Sequence, residues 1–267
     1  MTIVSRGGPA SWYQGIGARY ADVLDVVGLD AFRSGNAARR DALGEQKQVR
    51  STNFDESILD SLRERLGCAD AGVLHPSLMY RLFAPYWWRH AGVDWVARHS
   101  RFEAVPPPPL PQGFPYAPGH YIAVKFYTND CFFSAPETRQ GTARLTAALS
   151  RRLPVVSLAT AQSMDDHAGA DGVAVLSVLA RAEARSNLEV QTAILGNARA
   201  FVGTYGGFSY LAPFFDVPAL GVYTSGTGFD QSHLTMARHA CTLLGGRTYG
   251  AVSLDAVDPD RVAEALA

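Results

Sequence analysis

Short apolar runs alternate with longer amphipathic stretches through the second half of the chain. Tyr121–Phe126 (YIAVKF) predicts a strand, Pro136–Arg152 a helix and Val155–Ala159 (VVSLA) a second strand. Val173–Leu176 fits a short strand or a loop, and a helix is expected over Asn187–Ala198. Then come a strand at Ala200–Gly203 (AFVG), a helix at Phe208–Phe215, a strand at Ala219–Tyr223 and later helices. Strand-length apolar runs between amphipathic helices predict a parallel sheet covered on both faces. The first half has the same grammar, with strands expected at Thr2–Ser5, Val23–Val27 and Gly72–Leu74.

The pattern breaks once. Phe102–Gly119 (FEAVPPPPLPQGFPYAPG) holds seven of the fifteen prolines. Proline lacks the N–H donor and stiffens the backbone, so this stretch reads as a semi-rigid connector or as a ligand for a proline-recognising module. It divides the chain into residues 1–101, a linker at 102–119, and residues 120–267. Two α/β halves on such a linker would face each other across a cleft, and open sheets bind ligands outside the carboxyl ends of their strands.

Charge and cysteine content narrow the partners. The net charge of the 267-residue chain is −1, which argues against nucleic acid as a bulk electrostatic partner. Of 24 cationic side chains 22 are arginine, and the only lysines are Lys47 and Lys125. That usage fits coding bias and leaves a lysine more informative than an arginine. Cys68, Cys131 and Cys241 form no CxxC pair and fit a reducing cytosol. The N-terminal residues have no signal-peptide core, and no run approaches the length that spans a bilayer. A cytoplasmic protein without a membrane span is expected.

The most informative segment is Ala200–Tyr223, AFVGTYGGFSYLAPFFDVPALGVY. A strand should end at Gly203, a turn should occupy Thr204–Gly207, and a helix should start near Phe208 or Ser209. Glycines let a ligand approach the backbone, and free N–H groups at a helix start suit a phosphate. The same residues also describe a plain strand–helix turn with Ser209 as its cap. No Walker loop or GxGxxG fingerprint is present.

This pattern resembles the donor-binding half of GT-B glycosyltransferases, most closely the bacterial heptosyltransferase-like branch. The resemblance covers residues 120–225 and carries over to Gly203, Thr204, Gly206, Gly207 and Ser209 as the loop and helix start that hold a nucleotide-sugar diphosphate. It departs at Tyr205, where an Asp is common, and at Tyr210, where a His is common. It implies two Rossmann-like parallel-sheet domains facing a cleft, the first of them abbreviated, because two full halves usually need more residues. The chain would then be a compact member or lack a leading βα unit.

Other residues join that reading. Lys125 and Tyr127 end the first strand of the second half, and Lys125 resembles the family's phosphate-neutralising cation; a snorkelling edge lysine is the alternative. Asp165 and His167 (SMDDH) could share a face of an extended segment, but no third ligand has a supporting spacing. No metal site and no cofactor are expected, and a role for Asp165 beside the nucleotide or in a solvated loop fits better. In NLEVQ, Asn187 can cap a helix and Glu189 suits its positive end; Glu189 or Gln191 could also bind a ribose.

The first half should hold acceptor and base. Arg6 in SRGGPASWY and His75 in VLHPSLMYRLF fall at strand ends, and His75 is the preferred base, with Asp22 and Asp25 as rivals. A turn histidine with no chemical role is the alternative for His75. Tyr86, Trp87, Trp88 and Trp95 fit a core or packing surface better than a sugar platform. The expected activity is metal-independent, inverting transfer of a sugar from a nucleoside diphosphate donor to a hydroxyl acceptor. A nucleotide-sugar 2-epimerase-like enzyme and a non-catalytic binding protein are the other readings.

Overall fold

The structure is a computed structural model that describes residues 2–5, 12, 19–22, 34–35, 38, 42, 53–69, 83–88, 91–159, 167–168, 176–183, 186–224 and 229–266. Its first strands, β1 (Thr2–Ser5) and β2 (Arg19–Asp22), pair in parallel with Thr2 opposite Arg19. Thr2–Ser5 is the expected strand. Val23–Val27 and Gly72–Leu74 lie outside the described residues.

Residues 23–100 form one unit, and residues 1–22 with 101–267 form the other. The first contains α1 (Asn53–Leu66), α2 (Ala84–Trp88) and α3 (Val93–Ala97). Helix α1 buries Leu59 and Leu62, three apart on one face, while Asp60 and Glu64 stay in solvent. The aromatic residues pack on one another, Trp95 edge-on to Phe83 and Tyr86 against Trp87.

The other unit is built on a sheet. In chain order it has β3 (Ile122–Tyr127), α4 (Pro136–Ser150), β4 (Val155–Ser157), β5 (His167–Ala168), α5 (Ser177–Ala180) and α6 (Asn187–Gly196). Then follow β6 (Ala200–Thr204), α7 (Gly207–Leu211) running into a 3-10 turn at Ala212–Phe215, β7 (Ala219–Tyr223), α8 (Gln231–Leu243), β8 (Tyr249–Ser253) and α9 (Pro259–Leu266). The strands lie in the order β4–β3–β6–β7–β8, all parallel, and β5 runs antiparallel to the end of β3. This is the expected parallel α/β sheet. Strand β8 falls where only helices were expected, because its YGAVS sequence is half-exposed at the sheet edge and lacks the apolar run of a central strand.

Both faces are covered. Ile122, Val124, Phe126, Val202 and Val222 point to Leu145 and Leu149 of α4 and Ala263 of α9. Tyr121, Ala123, Phe201 and Ala219 point the other way, to Ile194 and Leu195 of α6, Leu234 and Cys241 of α8, and the 3-10 turn. Helix α6 is buried nearly all round from Gln191 to Gly196. The Trp12 indole N–H donates to Thr192 Oγ1 at 3.3 Å, and Gly196 leaves room for Pro107 and Phe215.

The proline-rich stretch lies along this same unit. Val105 N–H donates to the Phe214 carbonyl, Asn197 Nδ2 to the Pro108 carbonyl and Gly119 N–H to the Asn197 carbonyl, each at 2.8 Å. Leu110, Phe114 and Tyr116 pack into the core beside Tyr121. Prolines suit this strap because loop contacts to their carbonyls need no proline N–H. Residues 1–22 and the proline-rich stretch thus belong to the same unit as residues 120–267. Among the described residues no helix is long and apolar enough to cross a membrane.

The chain starts the sheet at β3, steps outward to β4, then returns to the other side of β3 for β6, β7 and β8. The direction of winding reverses between β3 and β6. At such a switch point the connections leave in opposite directions and open a crevice at the carboxyl ends of the two strands.

Candidate functional site at the carboxyl ends of β3 and β6

Lys125 of β3 lies directly across from Gly203 of β6. A Cβ at Gly203 would come within 2.2 Å of the Lys125 carbonyl and 2.6 Å of the Phe201 ring. Gly203 is therefore required by strand packing. Thr204 also faces inward: its Oγ1 accepts from Tyr127 N–H at 2.9 Å and donates to the Tyr127 carbonyl at 3.0 Å. It fastens the end of β3 to β6.

The turn that follows needs its glycines for conformation. Gly206 has φ 110° and Gly207 φ 41°, the left-handed region that side chains disfavour. The Tyr127 hydroxyl lies over them, 3.3 Å and 3.1 Å from where their Cβ atoms would stand. Gly206 is half-buried and Gly207 exposed, so the turn presents backbone to solvent beside a phenol. The first N–H groups of α7, those of Gly207 and Phe208, have no intrahelical acceptor by the geometry of a helix start.

Ser209 is fully buried, and its hydroxyl works inside the fold. It donates to the Gly206 carbonyl at 2.9 Å, accepts from Gly206 N–H at 3.0 Å, and lies 3.1 Å from the Tyr249 hydroxyl. A hydroxyl has one hydrogen, so with that hydrogen on Gly206 the Tyr249 O–H is the donor to Ser209. Gly206 is the N-cap of α7, and Ser209, two residues into the helix, reaches back to close its start and ties it to β8. Burial pushes the Tyr249 phenol well above its ordinary pKa, which keeps it a donor.

The Lys125 side chain turns toward α6 and α7. It is only 3% exposed, its ammonium 2.7 Å from Gln191 Oε1 and 4.2 Å from the centre of the Phe208 ring. Gln191 Nε2 donates to Asn187 Oδ1 at 2.8 Å. Asn187 is not the cap: Ser186 occupies that position, and Asn187 is buried with its carboxamide committed to Gln191. Glu189 stands in the first turn of the same helix and is exposed.

The structure thus brings together Lys125, Tyr127, Gly203, Thr204, Gly206, Gly207 and Ser209, with Glu189 on the adjoining helix end. His75, Arg6 and Asp165 lie outside the described residues. His167 is placed by its backbone alone, opposite Tyr127 in the β3–β5 pair. No group of three or more His, Cys, Asp or Glu side chains among the described residues could hold a metal ion. All three cysteines are free thiols.

Residues that sequence reasoning missed line the neighbouring edge. Tyr205, at the position where the resembled family commonly has Asp, is buried, and its hydroxyl donates to the Asp230 carbonyl at 2.9 Å. Its ring packs against Tyr210, Tyr223 and Phe229. Three aromatic residues within a few positions of β6 and β7 were the available signal. Phe208, expected only as a helix start, covers the Lys125 ammonium. Comparison of the chain with protein-family models, curated proteins and solved structures returns no match.

Proposed function

We propose that the sheet unit binds a nucleoside diphosphate sugar and that the protein is a GT-B-type glycosyltransferase acting on a hydroxyl acceptor. The observation that carries this reading is the convergence at the switch point. The Gly206–Gly207 turn, the Tyr127 hydroxyl and the Lys125 ammonium all belong to the carboxyl ends of β3 and β6. Diphosphates favour this place because exposed backbone, helix-start N–H groups and a fixed cation act together on negative charge.

In the reaction a base of the first half, His75 in this reading, takes the acceptor hydroxyl's proton. The acceptor oxygen bonds to the anomeric carbon as the bond to the diphosphate breaks. The leaving diphosphate keeps that electron pair, and its charge is stabilised by Lys125 and the α7 start. Arg6 is assigned to the same reacting centre. Single displacement inverts the anomeric configuration and routes no step through a metal.

Thermal-shift measurements with UDP-, GDP-, ADP- and TDP-sugars test the binding half. Stabilisation by one donor class is expected, and no stabilisation by any would overturn the reading. Nucleoside diphosphate release that requires added acceptor supports transfer, whereas release or isomerisation without it supports epimerase chemistry. His75→Ala should bind donor normally and lose turnover. Full activity in that variant removes His75 as the base.

A further inference from the structure

The proline-rich strap, residues 102–119, contains a stiff arm. Proline fixes φ, and a residue before proline is held extended, which together restrain every position from Val105 to Leu110. Exposure then repeats every three residues, the period of a polyproline II helix. Val105 and Pro111 are half-buried and Pro108 is buried, while Pro106, Pro109 and Gln112 are exposed. Two tight turns complete the strap. Phe114 N–H donates to the Pro111 carbonyl and His120 N–H to the Ala117 carbonyl, each at 3.1 Å. Gly113, at φ 81°, and Gly119, at φ 77°, take the third positions, where a type II turn needs a glycine.

One residue holds the strap down at two points. Asn197, just past the end of α6, gives its two Nδ2 hydrogens to the Pro108 and Ala193 carbonyls, each at 2.8 Å. Its own carbonyl accepts from Gly119 N–H, also at 2.8 Å. The bond from Val105 N–H to the Phe214 carbonyl is a further tie. Between these ties Leu110, Phe114 and Tyr116 are only half-buried. Tyr121, its ring 5.0 Å from that of Phe114, is fully buried. The strap therefore covers the core from outside, and these hydrogen bonds lie outside the sheet ladder. A segment with half-buried contacts and no share in the ladder belongs to the part of a fold that opens first.

We propose that the strap is a clasp with Asn197 as its catch: residues 102–119 open and close as one body while the sheet stays folded. The stiff arm leaves few soft dihedrals at which the strap could open piece by piece. It begins just after the 100/101 boundary, so opening adds the strap's own length to that link with residues 23–100. The clasp stands apart from the function proposed above.

Hydrogen exchange of the full chain, read by NMR at single amides, tests it. In the wild type Val105, Phe114 and Gly119 should share one opening equilibrium. They should exchange well before Val124, Val202 and Val222 of the central strands. Exchange of strap and strands together, or unrelated equilibria at the three strap amides, would overturn the clasp. Asn197→Ala should speed strap exchange about tenfold, for the loss of its two side-chain hydrogen bonds, and leave the strand amides at wild-type rates. Unchanged strap exchange would remove Asn197 as the catch.

If Asn197→Ala does not fold, Asn197→Asp replaces it. That variant keeps the size but sets a carboxylate against the Pro108 and Ala193 carbonyls in place of two donors. It should open the strap at least as far as Asn197→Ala is expected to, again with the strands unchanged. Wild-type exchange there, or strands that open with the strap, would overturn the proposal.

Discussion

The two faces of the sheet are built from different chemistry. The face under α4 and α9 is mainly aliphatic and phenylalanine, with Ile122, Val124, Val202, Val222, Leu145 and Leu149 interlocked, Phe126 stacked on Phe132, and Thr138, Thr142 and Thr146 of α4 buried beside them. The face under α6, α7 and α8 carries Lys125, Gln191, Asn187 and Ser209, with the hydroxyls of Tyr205 and Tyr249. The second face has additional polar positions, and they cluster at the carboxyl end, where the winding reverses. If the proposed function holds, stability and binding are divided between the faces, and substitutions can separate them.

The largest effect is expected at the seam. Gly203→Ala drives a methyl into the Lys125 carbonyl, a backbone atom that cannot move without shifting β3. A loss of roughly 4 kcal/mol is expected, at the upper end for overpacking. Urea denaturation measures it, and a loss under about 1 kcal/mol would mean that β3 and β6 are not so closely apposed. Next comes Leu145→Ala on the aliphatic face, where a fully buried side chain is truncated. It should cost about 3 kcal/mol, within the range for such truncations. Pyrophosphate affinity per folded molecule should remain that of the wild type. A parallel loss of affinity would show that the faces are not separable.

Ser209→Ala belongs to the polar face and should be milder. It leaves the Gly206 N–H and the Tyr249 hydroxyl without their partner, for about 1–3 kcal/mol. Tyr249→Phe removes only one of those contacts and should cost about 1 kcal/mol. In the double variant the two losses should fall short of their sum, because both remove the same hydrogen bond. Strict additivity in thermal or urea melts would contradict the shared contact.

The sheet was legible for a physical reason that also explains what was missed. Strands β3, β6 and β7 are covered on both sides and read as apolar runs, and the buried side of α4 recurs at Gly141, Leu145, Ala148 and Leu149. Strand β8 has half-exposed residues, and β5 is a two-residue pair. Neither carries a run long enough to read. At the site, the glycine pair was legible because conformation demands it. The inward aim of Ser209 and Thr204 was not, since a hydroxyl beside a turn can cap or bind equally well. The Lys125–Gln191 contact spans 66 residues and depends on how α6 rolls against β3, which no local pattern records.

The smallest effect concerns how the last helix on each face begins. Asp258 accepts N–H groups at the start of α9, and Asp230 does so for α8, from Ser232. Partial burial pushes the Asp230 carboxyl up. The Ser232 hydroxyl and N–H and the nearby His233 outweigh this, and its pKa ends below the usual carboxylate value. A carboxyl lowered in the folded state adds stability above its unfolded pKa, near 4, and loses it as pH falls through the folded value. Asp230→Asn keeps a good cap and removes the titration. The wild type should therefore be more stable than Asp230→Asn at pH 5–6, by no more than a few tenths of a kcal/mol for so exposed a group. The gap should close as the pH is lowered below the carboxylate range. Urea melts at pH 6, 4.5 and 3 measure it, and a gap that widens on acidification would place the charge of Asp230 among the costs of the fold.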